Sequence, residues 1–109
     1  MAGIDGDSTA EVVIDTRVDP SAAAVVTVSG ELDMSNASSL EATVASIAAE
    51  GPKRLIFDLS GLRFMDSAGI AVLVGAASKV NAVALRDPSP VVRRVIELTG
   101  LSGVLPIEP

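Results

Sequence analysis

Four residue types are absent from this 109-residue chain: it contains no cysteine, histidine, tryptophan or tyrosine. The missing cysteines and histidines exclude disulfides, thiol and imidazole nucleophiles, imidazole general bases and Cys/His zinc sites. Aromatic side chains are limited to Phe57 and Phe64, which leaves no ring platform on which nucleic-acid bases could stack. Much of enzyme chemistry is therefore excluded before any motif is considered.

Positive charge and long apolar runs are also scarce. Eight Lys and Arg residues against fourteen Asp and Glu residues give a net charge of −6, so no nucleic-acid partner is expected. The longest uncharged stretch, Ser67 to Ser78, is well short of the ~20 residues that cross a bilayer. The acidic N-terminus lacks the basic start and apolar run of a signal peptide. We therefore expect a soluble, cytoplasmic protein that does not insert into a membrane.

The chain has enough small aliphatic side chains to bury a core. Its length and its 49% content of apolar residues fit one domain. Residues 1–11 are polar and aperiodic, so we predict a flexible N-terminal tail there and a single domain over residues 12–109. Alternation in Val12–Val18 predicts a half-exposed edge strand, which would form an antiparallel hairpin with an apolar strand from Ala24 to Ser29.

The rest of the chain alternates between helix and strand signals. The predicted helices begin after Asn36, at Asp66-Ser67 and at Ser89-Pro90, and the predicted strands are Leu55–Leu59, Ala82–Leu85 and a short edge strand Val104–Ile107. In the last helix either Val91, Val95 and Leu98, or Val92 and Ile96, would face the core. This order of elements predicts an α/β fold with a mixed, mostly parallel sheet, an antiparallel N-terminal edge strand and flanking helices.

The chain is organised around the stretch from Leu55 to Val74, which we interpret as strand, loop and helix. Asp66 and Ser67 precede an uncharged apolar run, so either can cap the first helical turn. A phosphate on Ser67 would meet the unpaired N–H groups and positive dipole end of that turn, which would hold it without unfolding the helix. A simpler interpretation, favoured by periodicity alone, is that Asp66 and Ser67 are only caps and that Gly69 permits close packing on a strand.

This central stretch resembles the anti-sigma factor antagonists, which are members of the STAS domain superfamily. The resemblance rests on Asp58-Leu59-Ser60-Gly61 and on Phe64-Met65-Asp66-Ser67-Ala68-Gly69-Ile70. It extends to Gly30-Glu31-Leu32-Asp33, to Asp87-Pro88-Ser89-Pro90-Val91-Val92-Arg93-Arg94-Val95 and to Leu98-Thr99-Gly100-Leu101. It covers nearly the whole chain outside the first ten or so residues and implies a STAS-type domain over residues 12–109.

The resemblance also implies a mechanism. Unphosphorylated antagonists bind an anti-sigma factor that is also a serine kinase, which frees the sigma factor; phosphorylation releases the antagonist and a serine phosphatase reverses it. Ser67 would then be the phosphoacceptor, with Asp33, Asp58 and Asp66 shaping the polar surface beside it and Gly69 packing beneath it. The carboxyl ends of parallel strands meet at one sheet edge, so we expect Asp33 and Asp58 to emerge together with Ser67.

Two departures from the family pattern concern the site and its partner. Ala68 stands where the family often has a second hydroxyl residue, which would leave Ser67 as the single acceptor in that turn. The segment between the central helix and the Ala82 strand is shorter than usual and lacks the basic residues and paired glycines commonly found there. This segment would border the docking surface, so the difference concerns partner identity more than the fold.

Catalysis by the chain itself is not expected. Gly61 to Gly69 lacks the Gly-Lys-Ser/Thr ending of a phosphate-binding loop. Carboxylates could bind a metal or act as acid and base, but activation of Ser67 would then rely on carboxylates alone. We therefore predict no enzyme activity, no cofactor and no metal. The alternative function is that of a STAS docking subunit in a lipid-transport ATPase complex; a stress-signalling scaffold subunit would usually carry a further domain.

Overall fold

A hairpin and a series of strand–helix units make up the computed structural model, which describes residues 11–108. The strands are β1 (Val12–Val18), β2 (Ala24–Leu32), β3 (Leu55–Asp58), β4 (Leu62–Met65) and β5 (Val83–Arg86), and the helices are α1 (Ala37–Ala49), α2 (Ser67–Ala77) and α3 (Pro90–Leu98). The tail predicted at residues 1–11 lies outside the described residues except for Glu11. The Glu11 carbonyl accepts a hydrogen bond from the Glu31 N–H at 2.8 Å.

The sheet is mixed, as predicted. Its strand order is β1-β2-β3-β5, with β1 antiparallel to β2 and the other pairs parallel. The turn between β1 and β2 is organised by Asp19, whose Oδ1 accepts hydrogen bonds from the Ser21 Oγ at 2.6 Å and from the Ser21 and Ala23 N–H groups at 2.9 and 3.2 Å. The Ser21 hydroxyl, as the strongest of these partners, lowers the pKa of the Asp19 carboxyl group.

The loop predicted before the central helix contains a strand instead. β4 pairs in parallel with the end of β2, where Leu32 lies opposite Met65. This pairing carries β2 three residues beyond the predicted end at Ser29. A four-residue segment with Arg63 at its second position has too weak a pattern to be recognised as a strand. Its conformation depends on pairing with Gly30–Leu32, more than thirty residues earlier in the chain.

Most of the core lies between one face of the sheet and the helices. Buried apolar residues of the strands meet buried apolar residues of the helices there, and the two sets include Val26, Val28, Leu32, Leu40, Val44, Phe57, Leu62, Leu73, Leu85, Val92 and Ile96. α3 therefore buries Val92 and Ile96, the second of the two predicted faces. Val91 and Leu98 are 57% and 73% exposed. A smaller buried cluster, Ala23, Val25 and Ile56, occupies the other face of the sheet.

The predicted C-terminal edge strand is reduced to a single bridge between Leu85 and Ile107. Pro106 has no N–H to extend the ladder, although its carbonyl accepts from the Leu85 N–H at 2.8 Å. A hydrogen bond to the Glu108 carboxylate, 2.7 Å from the Arg86 Nε, raises the pKa of Arg86. No helix within residues 11–108 combines the length and apolarity needed to cross a membrane.

Candidate functional site

Ser67 lies at the first position of α2, with an exposed side chain. The residue before it, Asp66, is the N-cap in extended conformation, and its Oδ1 accepts from the Ala68 N–H at 2.9 Å and the Gly69 N–H at 3.3 Å. These contacts satisfy two of the N–H groups that a helix leaves unpaired at its start. The predicted helix start is confirmed, and Asp66 rather than Ser67 acts as the cap.

Asp66 also connects α2 to the end of β2. Its N–H donates to the Leu32 carbonyl at 3.1 Å, and its Oδ2 accepts from the Met34 N–H at 3.3 Å. One carboxylate therefore holds the first turn of a helix and a loop thirty-two residues earlier in the chain. The N-terminus of α2 is fixed against the β2–α1 loop by these contacts.

The β2–α1 loop is ordered by its own polar side chains. Asp33 Oδ1 accepts from the Ser35 N–H at 2.9 Å and the Ser35 Oγ at 2.6 Å. Asn36 precedes α1 as predicted, but its side chain does not cap the helix: its Oδ1 accepts from the Asp33 N–H and its Nδ2 donates to the Glu31 carbonyl. The loop therefore presents Asp33 and Met34 beside Asp66 in a defined conformation.

Gly69 brings α2 into close contact with the strands. A Cβ atom at this position would lie 2.7 Å from Met65 Cγ, 2.8 Å from Leu32 Cδ2 and 2.9 Å from Leu32 Cγ. Leu32 and Met65 are both buried, so neither has free space into which it could move. Close packing beneath the first turn, expected for Gly69 from the sequence, is a property of this site.

Asp58 does not lie with the other predicted site residues. It is opposite Thr27 on β2, whereas Asp66 follows Met65, which is opposite Leu32. Five residues of β2 separate these levels, or about 16 Å along the strand. Asp58 Oδ1 accepts instead from the Ser60 Oγ at 2.8 Å and the Ser60 N–H at 3.1 Å. The expected meeting of Asp58 with Ser67 is wrong because β4 extends the sheet between them.

The hydrogen bonds of Asp66 also change the expectation for a phosphate on Ser67. Of the helix donors expected to hold it, the Ala68 and Gly69 N–H groups already donate to the Asp66 carboxylate. A phosphate would have to displace that carboxylate or project away from the helix end. The phosphate and the Asp66 carboxylate are both negative and would compete for the same N–H donors. This repulsion favours a phosphate that projects away from the helix end.

Two large apolar side chains are exposed close to this site. Met34, which is joined to Asp66 through its N–H, is 82% exposed, and Phe64, two residues before Asp66, is 46% exposed. From the sequence, Phe64 is recognised only as part of the family motif. Met34 is not recognised as a site residue at all, because a single methionine in a polar loop has no periodicity. Ser67 therefore follows a capping carboxylate, Asp66, to which the exposed Met34 is joined, so apolar surface that a partner could bury lies close to it. No group of three or more acidic side chains within residues 11–108 is arranged to hold a metal ion.

The chain is similar to known proteins in both sequence and structure. A STAS domain family model matches residues 13–109. The anti-sigma-F factor antagonist RsfB of Mycobacterium tuberculosis is 33% identical over 91 residues, which cover 79% of this chain and 73% of that protein. The solved anti-sigma factor antagonist from Mycobacterium paratuberculosis has a TM-score of 0.83 at 32% identity, over 91% of this chain and 86% of that one.

More distant structures share the fold. Unphosphorylated SpoIIAA has a TM-score of 0.76 at 24% identity, over 89% of both chains. Phosphorylated SpoIIAA of Bacillus has a TM-score of 0.69 at 22% identity, over 89% of this chain and 92% of that one. Together with the family match and the closer relatives, these comparisons lead to one assignment. The chain belongs to the STAS domain family, among the anti-sigma factor antagonists.

Proposed function

We propose that this chain binds an anti-sigma factor while Ser67 is unphosphorylated, which frees the sigma factor, and that phosphorylation of Ser67 ends the binding. The observation that carries the proposal is the position of Ser67. Its exposed side chain lies at the start of a capped helix, next to the Asp66 carboxylate and close to the exposed Met34. A partner that docks on Met34 comes within reach of Ser67, because the Met34 N–H donates to Asp66, the residue before Ser67.

The proposed switch is electrostatic. A phosphate adds about −1.5 to −2 charges at neutral pH, next to the carboxylate of Asp66 and near that of Asp33. Because Asp66 occupies the N–H groups of Ala68 and Gly69, the phosphate could not bind these two helix donors without displacing that carboxylate. It would have to be desolvated against the partner with little compensation, which is costly. Binding would fall while the fold stays the same.

The catalytic parts of the cycle are assigned to the partners. A phosphoryl transfer requires a nucleotide, a metal ion and a base, and these would come from an anti-sigma factor that is also a serine kinase. A serine phosphatase would restore the unphosphorylated form. SpoIIAA, which shares the fold, has been solved in unphosphorylated and phosphorylated forms, which supports the proposal. With partners that act on transcription, the chain is expected to work in the cytoplasm.

Phosphate mapping is the direct test of the acceptor. Protein isolated from its native cells is measured by intact mass and site mapping, before and after treatment with a serine phosphatase. We expect a reversible mass gain on Ser67 that Ser67→Ala abolishes. Ser60→Ala is the control, because Ser60 is also an exposed serine that follows an aspartate in the sequence, but it lies with Asp58, away from the start of α2. Label that persists in Ser67→Ala would refute the assignment.

Binding is tested separately by capture from a lysate of the native cells. Unphosphorylated protein is expected to retain a soluble kinase-like anti-sigma factor, and protein phosphorylated at Ser67 to release it. Met34→Ala is expected to weaken the capture without loss of folding, because its side chain is 82% exposed. Recovery of a membrane-associated ATPase, with no dependence on phosphorylation, would support the lipid-transport docking function instead.

A further inference from the structure

The outer side of β1 is an open sheet edge within the described part of the chain. β1 pairs with β2 alone, and the ends of that ladder define its hydrogen-bonding pattern. The Asp19 N–H donates to the Ala23 carbonyl, and the Glu31 N–H donates to the Glu11 carbonyl. Antiparallel ladders alternate, so the odd-numbered residues of β1 bond to β2 and the even-numbered residues direct their backbone groups outward.

One hydrogen bond supports the outward direction of the even-numbered backbone groups. The Thr16 N–H donates to the carboxylate of its neighbour, Asp15, at 3.1 Å, and so is not used by β2. The Val18 side chain, which lies on the same face of the sheet as that of Thr16, is 73% exposed. A seven-residue edge strand with an exposed apolar residue and outward N–H groups is a template for another strand.

We propose that this edge binds the β1 strand of a second copy of the chain, antiparallel, about a two-fold axis at Thr16. The pairing would be Thr16 with Thr16, and Ile14 with Val18 twice. All three are positions whose backbone groups point outward, so each pair can exchange two hydrogen bonds once the Thr16 N–H gives up its contact with the Asp15 carboxylate. The result is a continuous sheet across the dimer, an isologous interface of the kind most homodimers use. This inference goes beyond the proposed function and does not depend on it.

The side chains on both faces of β1 are self-complementary in this register. On one face, the exposed Val18 of each copy would cover the half-buried Ile14 of the other. On the opposite face, Asp15 of each copy would face Arg17 of the other, which gives two opposite-charge cross-strand pairs. Cross-strand pairs of this type stabilise antiparallel sheets, and like charges at the same positions destabilise them.

Other symmetric registers are less favourable. An axis at Asp15 or at Arg17 would place identical charges directly opposite each other. An axis at Ile14 would leave Val18 uncovered. A register that pairs an odd-numbered residue with an even-numbered one would place backbone groups directed toward β2 opposite backbone groups directed outward. Such a register cannot form a ladder. Among the axes from Ile14 to Arg17, Thr16 is therefore the one that satisfies both the backbone and the side chains.

A groove beside β1 offers room for the second strand's side chains. It has a volume of about 480 Å³ and lies between β1 and the C-terminal half of α1. Its walls include Val18, Ala24, Thr43 and Ile47. In the proposed register, Ile14 of the second copy lies next to Val18 and can enter this groove. Strand-to-strand contact alone is a small interface, so the dimer should form and dissociate reversibly at high protein concentration.

Charge reversal tests the register with the full-length protein. Sedimentation velocity over a concentration series should show self-association of the wild-type chain. Asp15→Arg or Arg17→Asp alone creates two like-charge pairs and should raise the dimer dissociation constant by about tenfold or more. The double variant D15R/R17D should recover self-association. An equimolar mixture of the two single variants should form a heterodimer, although neither associates with itself.

Thr16→Pro is a second, backbone-level test. Proline removes an N–H that points outward, so the β1–β2 ladder stays intact while the proposed contact loses its central bonds. Circular dichroism checks that every variant is folded, and phosphorylation of Ser67 should be unchanged in all of them. A wild-type chain that stays monomeric overturns the proposal, and the edge then belongs to another segment or protein. Association that persists in the single reversals overturns it equally.

Discussion

Gly69 is the position where the packing of the site can be tested most directly. Gly69→Ala adds one methyl group at the first turn of α2, where a Cβ would lie 2.7–2.9 Å from side-chain atoms of Leu32 and Met65. Real Cβ contacts are longer, so either the helix or these two buried side chains must shift. A shift of the helix would also disturb the hydrogen bonds of Asp66, which hold the Met34 loop against the start of α2.

The magnitude follows from two opposing terms. Replacing glycine by alanine inside a helix is favourable by about 1 kcal/mol. Overpacking of a filled core costs about 1–3 kcal/mol. Gly75 provides the matched control, since it lies in the same helix and a Cβ there would meet nothing within 4 Å. The helix-propensity gain is common to both variants, so the stability difference between them isolates the clash and should be about 1–3 kcal/mol.

The assay is urea and thermal unfolding followed by circular dichroism. Gly75→Ala is expected to be more stable than the wild-type chain by about 0.5–1 kcal/mol. Gly69→Ala is expected to be less stable than Gly75→Ala, with a melting temperature lower by about 4 °C or more per kcal/mol. Equal stability of the two variants would refute the reasoning, because it would mean that α2 does not press on Leu32 and Met65.

Three further predictions concern single residues. Asp66→Ala should cost about 0.5–2 kcal/mol in unfolding experiments through loss of the cap, whereas Asp66→Asn should keep most of that stability, because an amide oxygen can accept the same bonds. The pKa of Asp19 is lowered in the folded protein, so its contribution is present above the unfolded pKa and is lost as the pH falls through the folded pKa. Asp19→Ala should therefore lower the melting temperature at neutral pH, and the gap to the wild-type chain should narrow as the pH falls below the pKa of an unfolded aspartate, about 3.9; a constant gap would contradict this. Gly30→Ala should be strongly destabilising, since Gly30 has a φ of +94° and a Cβ there would lie 2.2 Å from the Glu11 carbonyl oxygen; a wild-type unfolding midpoint would show that the edge strand can move away.

Much of the fold could be predicted because its signals are local. Asp66 caps α2 through N–H groups two and three residues later, and Ser89 caps α3 in the same way, with its Oγ accepting from the Val92 N–H at 3.3 Å. α3 is followed by a glycine in the left-handed conformation, Gly100 with a φ of +72°, a helix ending that glycine favours. Alternation in β1 and the hairpin to β2 depend on near neighbours as well. Short-range hydrogen bonds and periodic burial involve residues that are close together in the chain, so they can be recognised in the sequence.

The candidate site was predicted only in part. Asp66, Ser67 and Gly69 are consecutive or nearly so, and their arrangement follows from the helix start. The position of Asp58 was not predictable, because it depends on how far β4 extends the sheet beyond β3. Met34 was missed for a related reason: its importance comes from a hydrogen bond to Asp66 and from its exposure, neither of which has a sequence pattern.

The sequence by itself determined where the helices start, that Val12–Val18 is an alternating strand, and that a serine follows a capping aspartate. The tertiary structure alone decided that Leu62–Met65 is a strand, that α3 buries Val92 rather than Val91, and that Asp66 holds the Met34 loop. The physical reason is the range of the interactions. Caps and turns are satisfied within a few residues of the chain, whereas strand pairing, burial and loop contacts exist only after distant segments have come together.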